Sequence, residues 1–172
     1  MNRNLVVLAL ATALALPLAA AELPQAGAPA PEFSLVSDQG TKASLADFRG
    51  KWVVLYFYPK NFTGGCTLEA RNFQRDLAKY EDANAVILGV SVDSADSHKE
   101  FCAKEGLAFR LLSDPDAKVS AAYGSVMEYQ GSKLSARNTF VIDPSGKIAR
   151  VFEKVKPSGH SDEVLEALAA LR

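Results

Sequence analysis

Trp52-Val-Val-Leu-Tyr-Phe-Tyr58 is a continuous apolar run, and Pro59-Lys-Asn-Phe-Thr63-Gly-Gly-Cys66 follows it directly. An apolar run of this length, without polar alternation, marks a strand buried on both faces. Beyond it, Ala70, Phe73, Leu77 and Tyr80 recur at helical spacing, so a helix is expected over 64–80. Ala85-Val-Ile-Leu-Gly-Val-Ser-Val92 repeats the buried-strand pattern. Strand, helix, strand in this order is a parallel βαβ unit.

The flanks extend this unit. Phe33–Val36 and Thr41–Ser44 surround Asp38-Gln-Gly40, a hairpin signal. Ser97 opens a second helix, with Glu100 three residues on as a capping box and Gly106 as its stop. A short strand over 109–112 and a short helix over 117–123 come next. Thr139–Asp143 and Lys147–Phe152 flank Pro144-Ser-Gly146, a further hairpin, and a last helix runs over 162–171. A βαβ half joined to a ββα half is a thioredoxin-like α/β layout: a central mixed sheet flanked by helices, with an N-terminal β-hairpin extension.

Composition narrows the functional classes. The chain has 172 residues, 48% of them apolar, and a net charge of −1, the balance of an ordinary globule. Such charge leaves no electrostatic footprint for nucleic acid. Residues 1–21 read as a cleaved signal peptide: Arg3, an apolar stretch over 5–20, then Ala19-Ala20-Ala21. The alternative is an uncleaved anchor, but the stretch is shorter than the ~20 residues a membrane span needs. Residues 22–172 then form one exported domain without stable membrane association, placed most simply in a bacterial periplasm.

Two cysteines are too few for a disulfide framework. Cys66 falls in the first turn of the helix, where free N–H groups and the helix dipole favour a thiolate. It also lies on the apolar stripe, so a small buried hydrophobe explains it equally well. Gly64 and Gly65 are read as letting the backbone fold closely around the sulfur. Glu69 and Ala70 stand where C-x-x-C or C-x-x-x-C would place a second cysteine, which disfavours disulfide exchange and copper transfer. His98 and Cys102 are four apart and could share a metal, but two ligands make no site. An exposed His98 is the plainer reading, and His160 falls in a loop with no obvious partner. No phosphate-cradling loop is present, and no cofactor or metal is expected.

Tyr56-Phe-Tyr-Pro59-Lys-Asn-Phe-Thr63-Gly-Gly-Cys66-Thr-Leu-Glu-Ala70 resembles the peroxiredoxin active-site signature P-x-x-x-T-x-x-C. Asp93–Lys99, Phe109–Asp114 and Arg137–Asp143 look most like the bacterioferritin-comigratory (Q-type) subfamily. The resemblance spans residues 28–171. It implies a peroxidase in which Cys66 is peroxidatic and passes through a sulfenic acid. Thr63 resembles the threonine that contacts the peroxide, and its other role is a helix N-cap. Arg137 resembles the arginine that stabilises the thiolate and the departing oxygen. Pro59 resembles the proline that shields the sulfur. The implied partners are a peroxide and a thioredoxin-like or other thiol reductant, and the subfamily leans towards a monomer.

Two departures from the subfamily stand out. Many members carry a resolving cysteine five residues after the peroxidatic one, where this chain has Arg71. Some relatives place their resolving cysteine in the helix that carries Cys102, so the resemblance implies Cys102 as the candidate resolving thiol; the alternatives are a passive thiol and a one-cysteine mechanism. The other departure is Gly64, where proline is more usual. Two sulfurs must approach to ~2.05 Å, so a Cys66–Cys102 bond would require local unfolding over 63–68. A non-catalytic thioredoxin-like protein that binds metal or senses redox state is the competing function.

Overall fold

The computed structural model describes residues 22–172; the expected signal peptide lies outside them. The apolar run forms strand β3 (Trp52–Phe57). Its side chains alternate between two cores, as a pleated strand requires. Val54 and Tyr56 join Phe73, Tyr80, Phe101, Val164 and Leu168 on one side. Val53, Leu55 and Phe57 join Phe33, Leu45, Tyr123 and Phe140 on the other. Both faces are covered, which explains the unbroken hydrophobicity of the run.

β3 lies parallel to β4 (Ala85–Ser91), and β4 parallel to β5 (Arg110–Ser113). The N-terminal hairpin, β1 (Ser34–Ser37) and β2 (Lys42–Ser44), joins antiparallel through β1 and β5. On the other side β8 (Thr139–Ile142) pairs antiparallel with β3, and β9 (Ile148–Phe152) with β8. The result is one seven-stranded mixed sheet in the order β2-β1-β5-β4-β3-β8-β9. At Gly89 of β4 a Cβ would come within 2.6 Å of Leu111 and 2.7 Å of the Tyr56 ring, so this strand approaches its neighbours too closely for any side chain.

The helices depart from expectation at three places. The helix expected over 64–80 is two: α1 (Gly64–Arg75) and α2 (Leu77–Asp82). Asp76 breaks it with φ −99° and ψ 6°, because its buried carboxylate turns inward to accept from Ser161 Oγ and Lys79 Nζ, both at 2.9 Å. The second helix, α3 (Ala95–Glu105), is capped by Ser94 and not Ser97; Ser94 Oγ accepts from the Ser97 N–H at 3.2 Å. Gly106 ends it in the left-handed conformation, φ 69°, as expected. The last helix, α5 (His160–Leu171), begins two residues early and takes in His160. The short α4 (Lys118–Ala122) matches its expected place. Between α4 and β8 the sequence reading left a gap; there β6 (Val126–Tyr129) and β7 (Ser132–Ser135) form a separate hairpin.

Candidate active site

α1 starts just beyond the carboxyl end of β3, so its first turn sits at the crevice where ligands meet parallel sheets. Cys66 occupies that turn and is 2% exposed. Arg137, just ahead of β8, donates from Nη2 to Cys66 Sγ at 3.3 Å and from Nη1 to Glu69 Oε2. One guanidinium thus bridges the sulfur and a buried carboxylate. Its backbone is held by Asn138. The Asn138 carbonyl accepts from the Phe57 N–H at 2.8 Å, its Oδ1 from the Lys154 N–H at 3.0 Å, and its Nδ2 donates to Ser125 Oγ at 3.0 Å.

Glu69 was missed as a site residue, its position having served only to exclude C-x-x-C. It is 1% exposed, and its Oε1 has no hydrogen-bond partner. Burial pushes its carboxyl up to about 7 against the pull of Arg137. The arginine is held up in turn by Glu69 and Cys66, against its own burial.

Thr63 stands at the N-cap position with extended backbone but does not cap through its side chain. Its hydroxyl donates instead to the Lys60 carbonyl at 3.0 Å, which leaves its lone pairs for an incoming donor. Pro59 and Thr63 border a cavity of about 500 Å³ whose far wall is the β6–β7 hairpin, through Met127, Tyr129 and Leu134. The glycines before Cys66 are not sterically demanded: a Cβ at Gly64 would meet nothing, and one at Gly65 would rest against Arg137 at 3.4 Å.

Cys66 and Cys102 are both free and buried. Burial, with a smaller push from Asp38, raises the Cys102 thiol to about 12, so it is protonated in this conformation. The histidines overturn their sequence readings. His98 is fully buried, not exposed. Its Nε2 donates to the Leu112 carbonyl at 3.2 Å and its Nδ1 lies 3.1 Å from Asn61 Nδ2, so no nitrogen is left to share a metal with Cys102. His160 is also buried and meets Thr139 Oγ1 at 2.9 Å.

A thiol in a helix-start turn with a guanidinium on the sulfur suits nucleophilic attack on a small electrophile. The family model described as AhpC/TSA matches residues 26–151. The chain belongs to the AhpC/TSA family. Among its relatives, Peroxiredoxin Bcp of Xanthomonas campestris is 44% identical over 135 residues, covering 76% of this chain and 84% of that one. Peroxiredoxin Bcp of Bacillus subtilis is 39% identical over 149 residues, covering 83% and 93%. A solved structure of a Xylella fastidiosa PrxQ mutant superposes with a TM-score of 0.82 at 37% identity, covering 87% of this chain and 98% of that one. As a Bcp/Q-type member of the AhpC/TSA family, this chain is a thiol-dependent peroxidase with a thioredoxin-like fold. Family membership does not favour the alternative of a non-catalytic metal binder or redox sensor.

Proposed function

We propose that Cys66 is the peroxidatic cysteine and that Arg137, Thr63 and Pro59 complete its site. The Cys66 thiolate attacks one peroxide oxygen; the O–O bond breaks, Cys66 becomes a sulfenic acid, and the other oxygen leaves as an alkoxide or hydroxide that takes a proton. Arg137 stabilises both the thiolate and the charge that grows on the departing oxygen. Thr63 accepts from the peroxide hydroxyl, and Pro59 screens the sulfur from water. The observation that carries this reading is the 3.3 Å contact between Arg137 Nη2 and Cys66 Sγ in the first turn of α1.

Cys102 resolves the intermediate: its sulfur attacks Cys66, the S–O bond breaks, water leaves, and a disulfide remains. A thioredoxin-like or other dithiol reduces it. Substrates are hydrogen peroxide and organic hydroperoxides. A bacterioferritin comigratory protein of Xanthomonas campestris, 40% identical over 85% of this chain, is described for alkyl peroxide reduction. The signal-peptide pattern over 1–21 supports an exported, periplasmic enzyme, and the subfamily resemblance supports a monomer. In a coupled assay with a dithiol reductant, Cys66→Ser abolishes peroxide consumption; wild-type turnover in that variant would overturn the assignment.

A further inference from the structure

The buried His98 ties α3 to the segment ahead of Cys66 through Asn61. A carbonyl only accepts, so His98 Nε2 carries the proton given to Leu112 and Nδ1 is left as an acceptor. Asn61 Nδ2 supplies both of its hydrogens to α3: one to His98 Nδ1 at 3.1 Å and one to Ser97 Oγ at 2.9 Å. Asn61 Oδ1 accepts from Tyr58 OH at 2.8 Å, and the Asn61 N–H donates to Asp93 Oδ2 at 2.9 Å. Every polar atom of this side chain is used, which fixes its orientation. The next residue, Phe62, sits at φ 60°, a conformation that a bulky side chain holds only where its surroundings impose it. The ring packs edge-on against Phe101 at 5.1 Å, under Lys104 Nζ at 5.4 Å, although Phe62 remains 45% exposed.

Two consecutive residues just ahead of Cys66 are thus fastened to α3 at Ser97, His98, Phe101 and Lys104, the positions that bracket Cys102. We propose that Asn61 and Phe62, through Ser97 and His98, are positioning residues for resolution: a fixed anchor from which the unwound segment delivers Cys66 to Cys102. Cys66 lies four positions beyond Phe62, so an unwound chain reaches up to about 13 Å from the anchor. The anchored contacts flank Cys102 within about one and a half helical turns, or ~8 Å. Cys66 can therefore reach its partner while Asn61 and Phe62 stay in place. The expected unfolding over 63–68 begins where the anchor ends, and the anchor keeps the effective concentration of the two sulfurs high.

This inference rests on Cys102 being the resolving thiol, and the test separates the two. The reduced protein is pulsed with hydrogen peroxide, quenched and analysed by mass spectrometry, giving separate rates for Cys66 oxidation and for disulfide closure. Phe62→Ala, Ser97→Ala and Asn61→Ala are compared with wild type. Phe62 and Ser97 are partly exposed, so their variants remain informative if Asn61→Ala fails to fold. Oxidation of Cys66 stays within about twofold, while closure slows ~5-fold, the order of one lost hydrogen bond or packing contact, and sulfinic acid accumulates in proportion. Closure at the wild-type rate in both Phe62→Ala and Ser97→Ala, or faster closure, overturns the anchor. Oxidation and closure falling together would show a general loss of fold and also overturn it. A wild-type protein that forms no Cys66–Cys102 disulfide overturns the role of Cys102 itself.

Discussion

Arg137 does two jobs with one side chain, and its two partners differ in worth. Removing a preorganised donor from a developing charge costs ~10²–10³-fold in rate. Arg137→Met therefore lowers kcat/KM for hydrogen peroxide by about that factor, measured as the bimolecular rate of Cys66 oxidation. Among the described residues the Glu69 side chain hydrogen-bonds only to the arginine, so Glu69→Gln costs less, about tenfold, and it changes the pH profile. With its carboxyl raised to about 7, Glu69 is neutral below that pH and grips Arg137 as an ion pair above it. The wild-type rate rises through pH 7 with a step that Glu69→Gln lacks; superimposable profiles would remove Glu69 from the site. Pro59, Thr63 and Cys66 entered as candidates through the signature and Arg137 through the resemblance around 137–143, and the structure brings Arg137 onto the Cys66 sulfur. Glu69 and His98 were not legible in the sequence, because a charged or imidazole side chain is read as exposed unless its buried partners are known. Those partners, Arg137 for Glu69 and Asn61 and Leu112 for His98, are remote in sequence.

At the scale of elements, β3, β4 and the β8–β9 hairpin were legible because apolar runs and turn residues are local signals. The break at Asp76 was not, since it depends on Ser161, brought in by α5. The β6–β7 hairpin escaped notice because its strands are mostly exposed on both faces, so no alternation marks them; its turn is Gln130-Gly131, both at positive φ, rather than the more readily recognised Asn-Gly. If Cys102 resolves the intermediate as proposed, α1 is the element that changes during turnover. Its first turn holds Cys66 buried, and Cys102 is buried on α3. Conversion to the disulfide raises amide hydrogen exchange at Thr67 and Leu68, including the Thr67 N–H now bonded to the Thr63 carbonyl. Exchange there equal in reduced and oxidised protein would contradict unwinding.

Over the whole molecule, burial sets how stability depends on pH. His160 is held down to about 4 by burial, and His98 is lowered for the same reason. The unfolded chain takes up these protons first, near 6.5, so the stability they contribute is full above that pH and is lost below it, for His160 as pH falls through about 4. For His160 alone the loss is on the order of 3 kcal/mol. Glu69 runs the other way: raised from its ordinary 4.5 to about 7, it stabilises fully below 4.5 and loses that contribution as pH rises through 7. Thermal unfolding between pH 7 and 4 therefore shows a shallower acid loss in His160→Gln and a steeper one in Glu69→Gln; parallel curves for wild type and His160→Gln would refute the account. The same sheet decides what an optical probe can see. Trp52, the single tryptophan, opens β3, and the Cys66 turn lies past its other end. A six-residue strand puts about 16 Å between those ends. Indole emission therefore reports first on the end of the sheet far from the catalytic turn, and it registers the redox cycle only through the core against which Trp52 packs and in which Cys66 and Cys102 lie, so a label placed near α1, or mass, follows that cycle more directly.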